Sequence, residues 1–306
     1  MPSFTSSFKS LCAAVAWRVA LLVAAYGIFV ALVRPTVYLN LSDAGTQNRI
    51  VAERFLAFGK AETPRAVLVG SSMGRHLESG LAEVDPGIYD LALFGGSPLT
   101  GNELMLQSGR LPRVVVIEVN NLRQPLDTPF VLGAMAEPGA ALRRICPALR
   151  TEYQPLRVLQ SAGRTLGAWG KPPHPVPDKE EPTPRLDEGV AFFVRGDDRT
   201  GADERERVRL DLAALGAQVE RLEARGVQVL FVSLPTDPRV EGDAFRRFVH
   251  REALARFPEA EWPWLDFPSD GSFRTTDGVH LTESSARRAA ALIAEKVRSL
   301  LAHSRS

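Results

Sequence analysis

Ala66-Val67-Leu68-Val69-Gly70-Ser71-Ser72-Met73-Gly74-Arg75-His76 decides how this chain folds. Four apolar residues, two of them β-branched, are stopped by a glycine, and two serines follow at once. A buried strand that ends in a tight turn and then enters a helix has this pattern. A serine on such a turn sits at the C-terminal end of a strand and beside a helix N-terminus. Backbone N–H groups there can stabilise a developing anion, and open α/β sheets place their sites along this edge. The same serines also suit a plain helix N-cap, because Ser is a favoured cap residue.

Three later stretches bear on the choice. Asp90-Leu91-Ala92-Leu93-Phe94-Gly95-Gly96-Ser97 follows a second apolar run. Val114-Val115-Val116-Ile117-Glu118-Val119-Asn120-Asn121 is a third strand that ends in asparagines. Asp277-Gly278-Val279-His280-Leu281 stands just before the last helix. With the first stretch they resemble the four separated blocks of the SGNH (GDSL-type) hydrolase superfamily, over roughly residues 60 to 300. The first block of that family usually reads Gly-Asp-Ser; here it reads Gly70-Ser71-Ser72. That variant is similar to a branch of membrane-tethered cell-envelope proteins associated with glycan O-acetylation and teichoic-acid alanylation.

The resemblance implies a flavodoxin-like three-layer α/β fold with a central parallel sheet. It implies Ser72 as nucleophile, His280 as the base that takes its proton, and Asp277 as the carboxylate that orients the imidazole. A serine hydroxyl is a poor nucleophile until a base removes its proton, so the chemistry needs this trio. The oxyanion hole would use the backbone N–H groups of Ser72 and Gly95 and the side-chain amide of Asn120. Gly96 and Asn121 compete for the last two places. The third block is normally Gly-x-Asn-Asp; here Glu118 replaces the glycine and Asn121 the aspartate. The Ser, Asp, His order also suits an α/β-hydrolase. His76, four residues beyond Ser72, is expected on a helix surface or at the site entrance.

The chain has 306 residues, with 37 Lys+Arg against 36 Asp+Glu. That balance, without a basic block, argues against nucleic acid as a partner. Cys12 and Cys146 are its two cysteines. Cys12 lies in an apolar segment, so an intrachain disulfide is not expected, and no Cys/His cluster has zinc-ligand spacing. No metal or other cofactor is implied.

Residues 11 to 33 form an apolar run that carries one charge, Arg18. A helix across a bilayer needs about 20 such residues. Arg18 is near enough to the N-terminal end to snorkel. Lys9, Arg18 and the terminal amine favour a cytoplasmic N-terminus over residues 1 to 10 and an exported, periplasmic remainder. A cleavable signal peptide is the rival reading, and the long run without a clear cleavage site opposes it. Arg34-Pro35 ends the helix.

Residues 34 to 59 read as a tether, polar to 47, and a leading helix from Asn48. Residues 60 to 306 read as the α/β domain, with an insertion at about 122 to 204 able to cap the site. Inside the domain the expected elements are a helix over Met73 to Val84, a strand over Ile88 to Leu93 and a helix over Pro98 to Gln107. A strand over Val114 to Val119 follows. Helices are expected around 140 to 150 and 155 to 166, with a proline-rich loop over 171 to 184 that holds His174. Regular structure resumes at Glu204 with a long helix that Gly226 stops, then a strand over Val227 to Leu234 and a helix over Asp243 to Phe257. A short strand near Trp262 to Phe267 precedes a final helix capped by Thr282 or Ser284. About five strands alternating with helices make a covered parallel sheet.

The functional expectation is ester chemistry through a Ser72 acyl-enzyme: O-acyl transfer or hydrolysis, acetyl in the first instance, on an envelope or secreted glycan. Transfer is the expected native role, with an acyl-donating membrane protein as partner. The alternative from another class is a non-catalytic assembly or glycan-binding subunit that keeps the fold, which the altered third block favours.

Overall fold

The computed structural model describes residues 4–33, 43–59, 62–136, 139–158, 184–195, 201–268 and 270–303. Five parallel strands form one sheet: β1 (Ala66–Val69), β2 (Ile88–Asp90), β3 (Val114–Glu118), β4 (Gln228–Val232) and β5 (Trp264–Leu265), in the order β2-β1-β3-β4-β5. This is the flavodoxin-like doubly wound order, whose switch point lies between β1 and β3.

The strands are apolar on both sides because both sides are covered, as parallel sheets require. Val67, Val69, Val115, Ile117, Val229 and Phe231 share one buried cluster. Ala66, Leu68, Val114, Val116, Leu230 and Val232 share another. Helices α2 (Ala44–Ala57), α5 (Pro98–Ser108) and α6 (Thr128–Met135) supply side chains to the first face. So do α9 (Ala202–Glu223) and α11 (Ala244–Arg256). The opposite face receives α3 (Ser72–Arg75), α4 (Glu78–Val84), α8 (Pro184–Arg195), α10 (Pro238–Glu241) and α12 (Glu283–His303). The result is the expected three layers.

Several elements differ from the sequence reading. The helix expected over Met73 to Val84 is broken: α3 ends at Arg75 and α4 begins at Glu78. Arg75 turns inward there. Its buried guanidinium bonds Asp90 at 3.3 Å and Glu78 at 2.6 Å, tying the serine turn to the end of β2. Helix α2 starts at Ala44, four residues early, because the Asp43 carboxylate caps the Thr46 N–H at 2.8 Å. Its Phe55 is fully buried against the sheet, so it is a layer of the domain.

The segment read as an insertion also contains regular structure. Helix α6 buries Val131 and Ala134, and α8 brings Leu186, Val190 and Phe193 to the core. The proline-rich loop with His174 lies outside the described residues, apart from Pro184. So does most of the helix expected over 155 to 166. Around residue 140 the helix is shorter than expected, α7 (Gly139–Ile145), followed by two single 3₁₀ turns at Pro147–Leu149 and Thr151–Tyr153.

Contacts divide the chain into two units. One is built on α1 (Phe4–Val33) and residues 139–158; the other holds the sheet and its covering helices. Within the first, the Tyr26 hydroxyl donates to the Tyr153 carbonyl. Over Leu11–Val30 the mean hydropathy is 2.0, and most side chains are exposed. Among the described residues, α1 alone is long and apolar enough to cross a membrane.

Candidate active site

Every block lands at the C-terminal edge of the sheet. Ser72 follows β1, Gly95 follows β2, Asn120 follows β3, and His280 lies on the loop between β5 and α12. Parallel strands point all their C-terminal ends one way, so four blocks remote in sequence meet at one edge.

The two serines divide the roles that the sequence left open. Ser71 is the N-cap of α3; its Oγ accepts the Met73 N–H at 3.2 Å, and the residue is buried. Ser72 is the first helical residue and remains partly accessible. Its Oγ lies 2.9 Å from His280 Nε2, and His280 Nδ1 lies 2.6 Å from Asp277 Oδ2. Asp277 is further fixed because its Oδ1 accepts the backbone N–H groups of Val279 at 3.1 Å and His280 at 2.9 Å. Burial alone would raise the Asp277 pKa. The bonds from the His280 side chain and backbone outweigh it and hold the carboxyl at about 2. An ionised Asp277 facing Nδ1 places the imidazole proton on Nδ1 and leaves the Nε2 lone pair towards Ser72.

The loop that carries both residues is closed on itself. Thr276 N–H donates to the His280 carbonyl at 2.8 Å, and Asp237 N–H donates to the Gly278 carbonyl at 2.9 Å. Gly278 has φ +97°, a conformation that suits glycine. Helix α8, which the sequence reading missed, lies against this loop. Val190 touches the Gly278 position, and a Cβ on Gly189 would run into the Asp277 carbonyl oxygen. The signal was available: Leu186, Val190 and Phe193 have helical spacing, but the prolines and charges before them obscured it. Gly189→Ala should therefore overpack the contact, at a cost of about 1–3 kcal/mol. Because the displaced atoms belong to Asp277, ester turnover should fall more than the unfolding midpoint shifts; unchanged turnover would show that the loop yields freely.

The expected oxyanion donors are placed as follows. Gly95 has φ +64°, and no described residue accepts its backbone N–H. The Gly96 N–H is taken by the Leu93 carbonyl at 3.0 Å, which favours Gly95 over its neighbour. The Asn120 amide binds across to the end of β4: Oδ1 accepts the Leu234 N–H at 2.7 Å, and Nδ2 donates to the Leu234 carbonyl at 2.8 Å. Nδ2 also lies 3.5 Å from Ser233 Oγ, the outer limit of a hydrogen bond. Glu118, read as a departure from the block, is fully buried and bonds Ser71.

His76 is exposed, as expected, at the end of α3, and it stands beside the chemistry. It is the C-cap of α3, and its ring centroid is 4.4 Å from that of His280. Desolvation first, and the neighbouring His280 second, push its pKa down to about 4. A neutral ring therefore flanks the imidazole at neutral pH. Two hollows adjoin the edge. One of about 330 Å³ is lined by Asn48, Phe94, Gly95, Leu126 and Phe130; another of about 270 Å³ by Asn120, Leu234, Arg246, His250 and Trp264.

No protein-family model matches the chain, and no curated protein matches it. Two solved structures are similar to it in fold. One is a GDSL-like lipase from Bacteroides thetaiotaomicron, 13% identical, covering 84% of this chain and 99% of that one, with a TM-score of 0.43. The other is a proposed acylhydrolase from Bacteroides fragilis, 14% identical, covering 87% of this chain and 99% of that one, with a TM-score of 0.42.

Proposed function

We propose that this chain is an SGNH-type serine enzyme that transfers or hydrolyses an O-acyl group, acetyl in the first instance, on an extracytoplasmic cell-envelope or secreted glycan. The observation that supports the chemistry is the relay from Ser72 Oγ to His280 Nε2, and from His280 Nδ1 to Asp277, at 2.9 and 2.6 Å.

Ser72 Oγ attacks the ester carbonyl carbon while Nε2 takes the hydroxyl proton. Asp277 keeps its negative charge beside the imidazolium that forms. Charge gathers on the carbonyl oxygen, where the N–H groups of Ser72 and Gly95 and the second Asn120 Nδ2 hydrogen receive it. Removing one such donor costs about 3–4 kcal/mol in comparable sites. Collapse breaks the bond to the alcohol, which leaves with the proton from Nε2, and the acyl group stays on Ser72. Water or a glycan hydroxyl then adds to the acyl carbon, gives its proton to Nε2, and Ser72 departs with that proton.

The glycan and the compartment rest on α1 and on the resemblance of the blocks. Lys9 and Arg18 favour a cytoplasmic start for α1 and a periplasmic catalytic domain. A membrane tether raises the effective concentration of acceptor and of an acyl-donating membrane partner at one surface. Transfer gains more from this than hydrolysis, for which water is always present, so transfer is the proposed native role.

The test supplies full-length protein in detergent with an acetyl ester and candidate glycan oligomers, followed by mass spectrometry. Acetyl gained by an oligomer, and absent with Ser72→Ala, supports transfer. Ser72-dependent loss from an acetylated oligomer, with no gain under any donor, makes it an esterase. Failure to label with a fluorophosphonate would leave the non-catalytic assembly or binding role. A C-terminal reporter that matures only after export should be active.

A further inference from the structure

We propose that Glu118 is a positioning residue for the Ser72 nucleophile, holding the serine turn from the neighbouring strand; this rests on the acyl-transfer reading above. The two departures of this chain from the usual blocks are the ones that meet. Ser71 stands where the first block has an acid, and Glu118 stands where the third has a glycine. Register brings them together: Val69 of β1 pairs with Ile117 of β3, so Glu118 follows opposite Gly70. The carboxylate is borne on β3 and bonds the serine turn that follows β1.

One oxygen makes the contact. Glu118 Oε2 accepts the Ser71 N–H at 2.6 Å and the Ser71 Oγ–H at 2.8 Å. Ser71 Oγ then accepts the Met73 N–H at 3.2 Å. The chain of bonds runs from the carboxylate through the cap to the first turn of α3, and Ser72 lies between its two anchored neighbours. Both Ser72 groups that the reaction uses, Oγ and the backbone N–H, are set by that backbone. Gly70 is what admits the carboxylate, since a Cβ there would stand 2.5 Å from Oε2 and 2.7 Å from the Glu118 Cβ.

Packing alone does not account for the residue. Glu118 has no exposed surface, burial raises its pKa, and Oε1 has no hydrogen-bond partner among the described residues. A buried carboxylate with one unsatisfied oxygen is costly, and an apolar side chain of the same volume fills such a space more cheaply. What the carboxylate provides, and an apolar residue does not, is the pair of bonds to Ser71, together with its interaction with the Asn120 backbone N–H and the charge of Arg246. Small displacements of a reacting group are expensive: about 1 Å can cost about 100-fold in rate.

The experiment compares full-length wild type with Glu118→Met, which keeps volume and removes the acceptor, and Glu118→Gln, which keeps one acceptor oxygen. The readouts are the rate of fluorophosphonate labelling at Ser72, kcat and KM for p-nitrophenyl acetate, and the melting temperature. Glu118→Met should lower kcat and the labelling rate by about 10- to 100-fold with KM within about twofold. Glu118→Gln should recover most of that loss. The Met variant leaves the Ser71 N–H and Oγ–H without their acceptor and should melt somewhat lower than wild type, so the rates are compared well below its melting temperature. Combining it with Ser71→Ala should cost no more than the worse single change, since both break one bond chain. Wild-type labelling and kcat in Glu118→Met would overturn the positioning role, as would Met and Gln variants equally impaired. A wild type that neither labels nor turns over would overturn the acyl-transfer reading itself, and the positioning role with it.

Discussion

Ser72→Ala should lower kcat/KM on an activated acetyl ester by about 10⁴-fold or more, as loss of the nucleophile does in serine enzymes. Ser71→Ala should leave most of the turnover. The difference follows from geometry, because the serines are adjacent in sequence but face opposite ways. Ser72 Oγ faces His280 at 2.9 Å, whereas Ser71 Oγ faces Glu118 at 2.8 Å. Losing Ser71 Oγ removes a cap bond worth about 0.5–2 kcal/mol of stability and one of the two bonds to the buried carboxylate. The Ser71 N–H bond to Glu118 remains, so the turn is loosened and not lost. Fluorophosphonate labelling should vanish with Ser72→Ala and persist with Ser71→Ala. The reverse pattern would move the nucleophile by one residue.

Asp277→Asn should be nearly as damaging, with kcat down by about 10⁴-fold, the size of effect that a wrong imidazole tautomer produces. Asp277 Oδ1 already accepts two backbone N–H groups. An asparagine must therefore keep its oxygen there and turn its NH₂ towards Nδ1. Nδ1 then becomes an acceptor, the ring proton moves to Nε2, and Nε2 can no longer take the Ser72 proton. The fold should survive, because shape and backbone bonds are kept. The same carboxylate makes a pH prediction. Its folded pKa, about 2, lies below the usual aspartate value. A depressed carboxyl contributes stability that is present above the unfolded value of about 3.9 and is lost as pH falls through the folded one. Wild type and Asp277→Asn should therefore differ in unfolding free energy at pH 5, and the gap should close as pH falls towards 2; a gap that stays open at pH 2 would show that another group carries the linkage.

Local chemistry made much of this legible in the sequence. An apolar run stopped by Gly70, with serines after it, specifies strand, turn and helix start wherever it lies. Spacing and end signals located α9, α11 and α12 within a few residues, because each buries one face and carries its own cap or stop, such as Asp243 and Gly226; α5, buried nearly all round, was marked by Pro98 in its first turn. The alternation of strands with helices implied a parallel sheet, and a parallel sheet gathers its loop residues at one edge. That much needs no knowledge of partners.

What depended on partners was not readable. The break after Arg75 exists because a buried arginine reaches Asp90 on another strand. Glu118 is only a departure from the third block in the sequence, whereas register sets it opposite Gly70 and beside Ser71, the latter 47 residues away. The Asn120 amide finds the Leu234 backbone 114 residues on, and α8 gains its meaning from the Asp277 loop that it presses. Backbone preference is a property of neighbours in sequence. The partner of a buried polar group is fixed only when strands are in register and layers are packed, so the sequence determined the strands and the edge, and tertiary structure alone decided which side chains hold the serine in place.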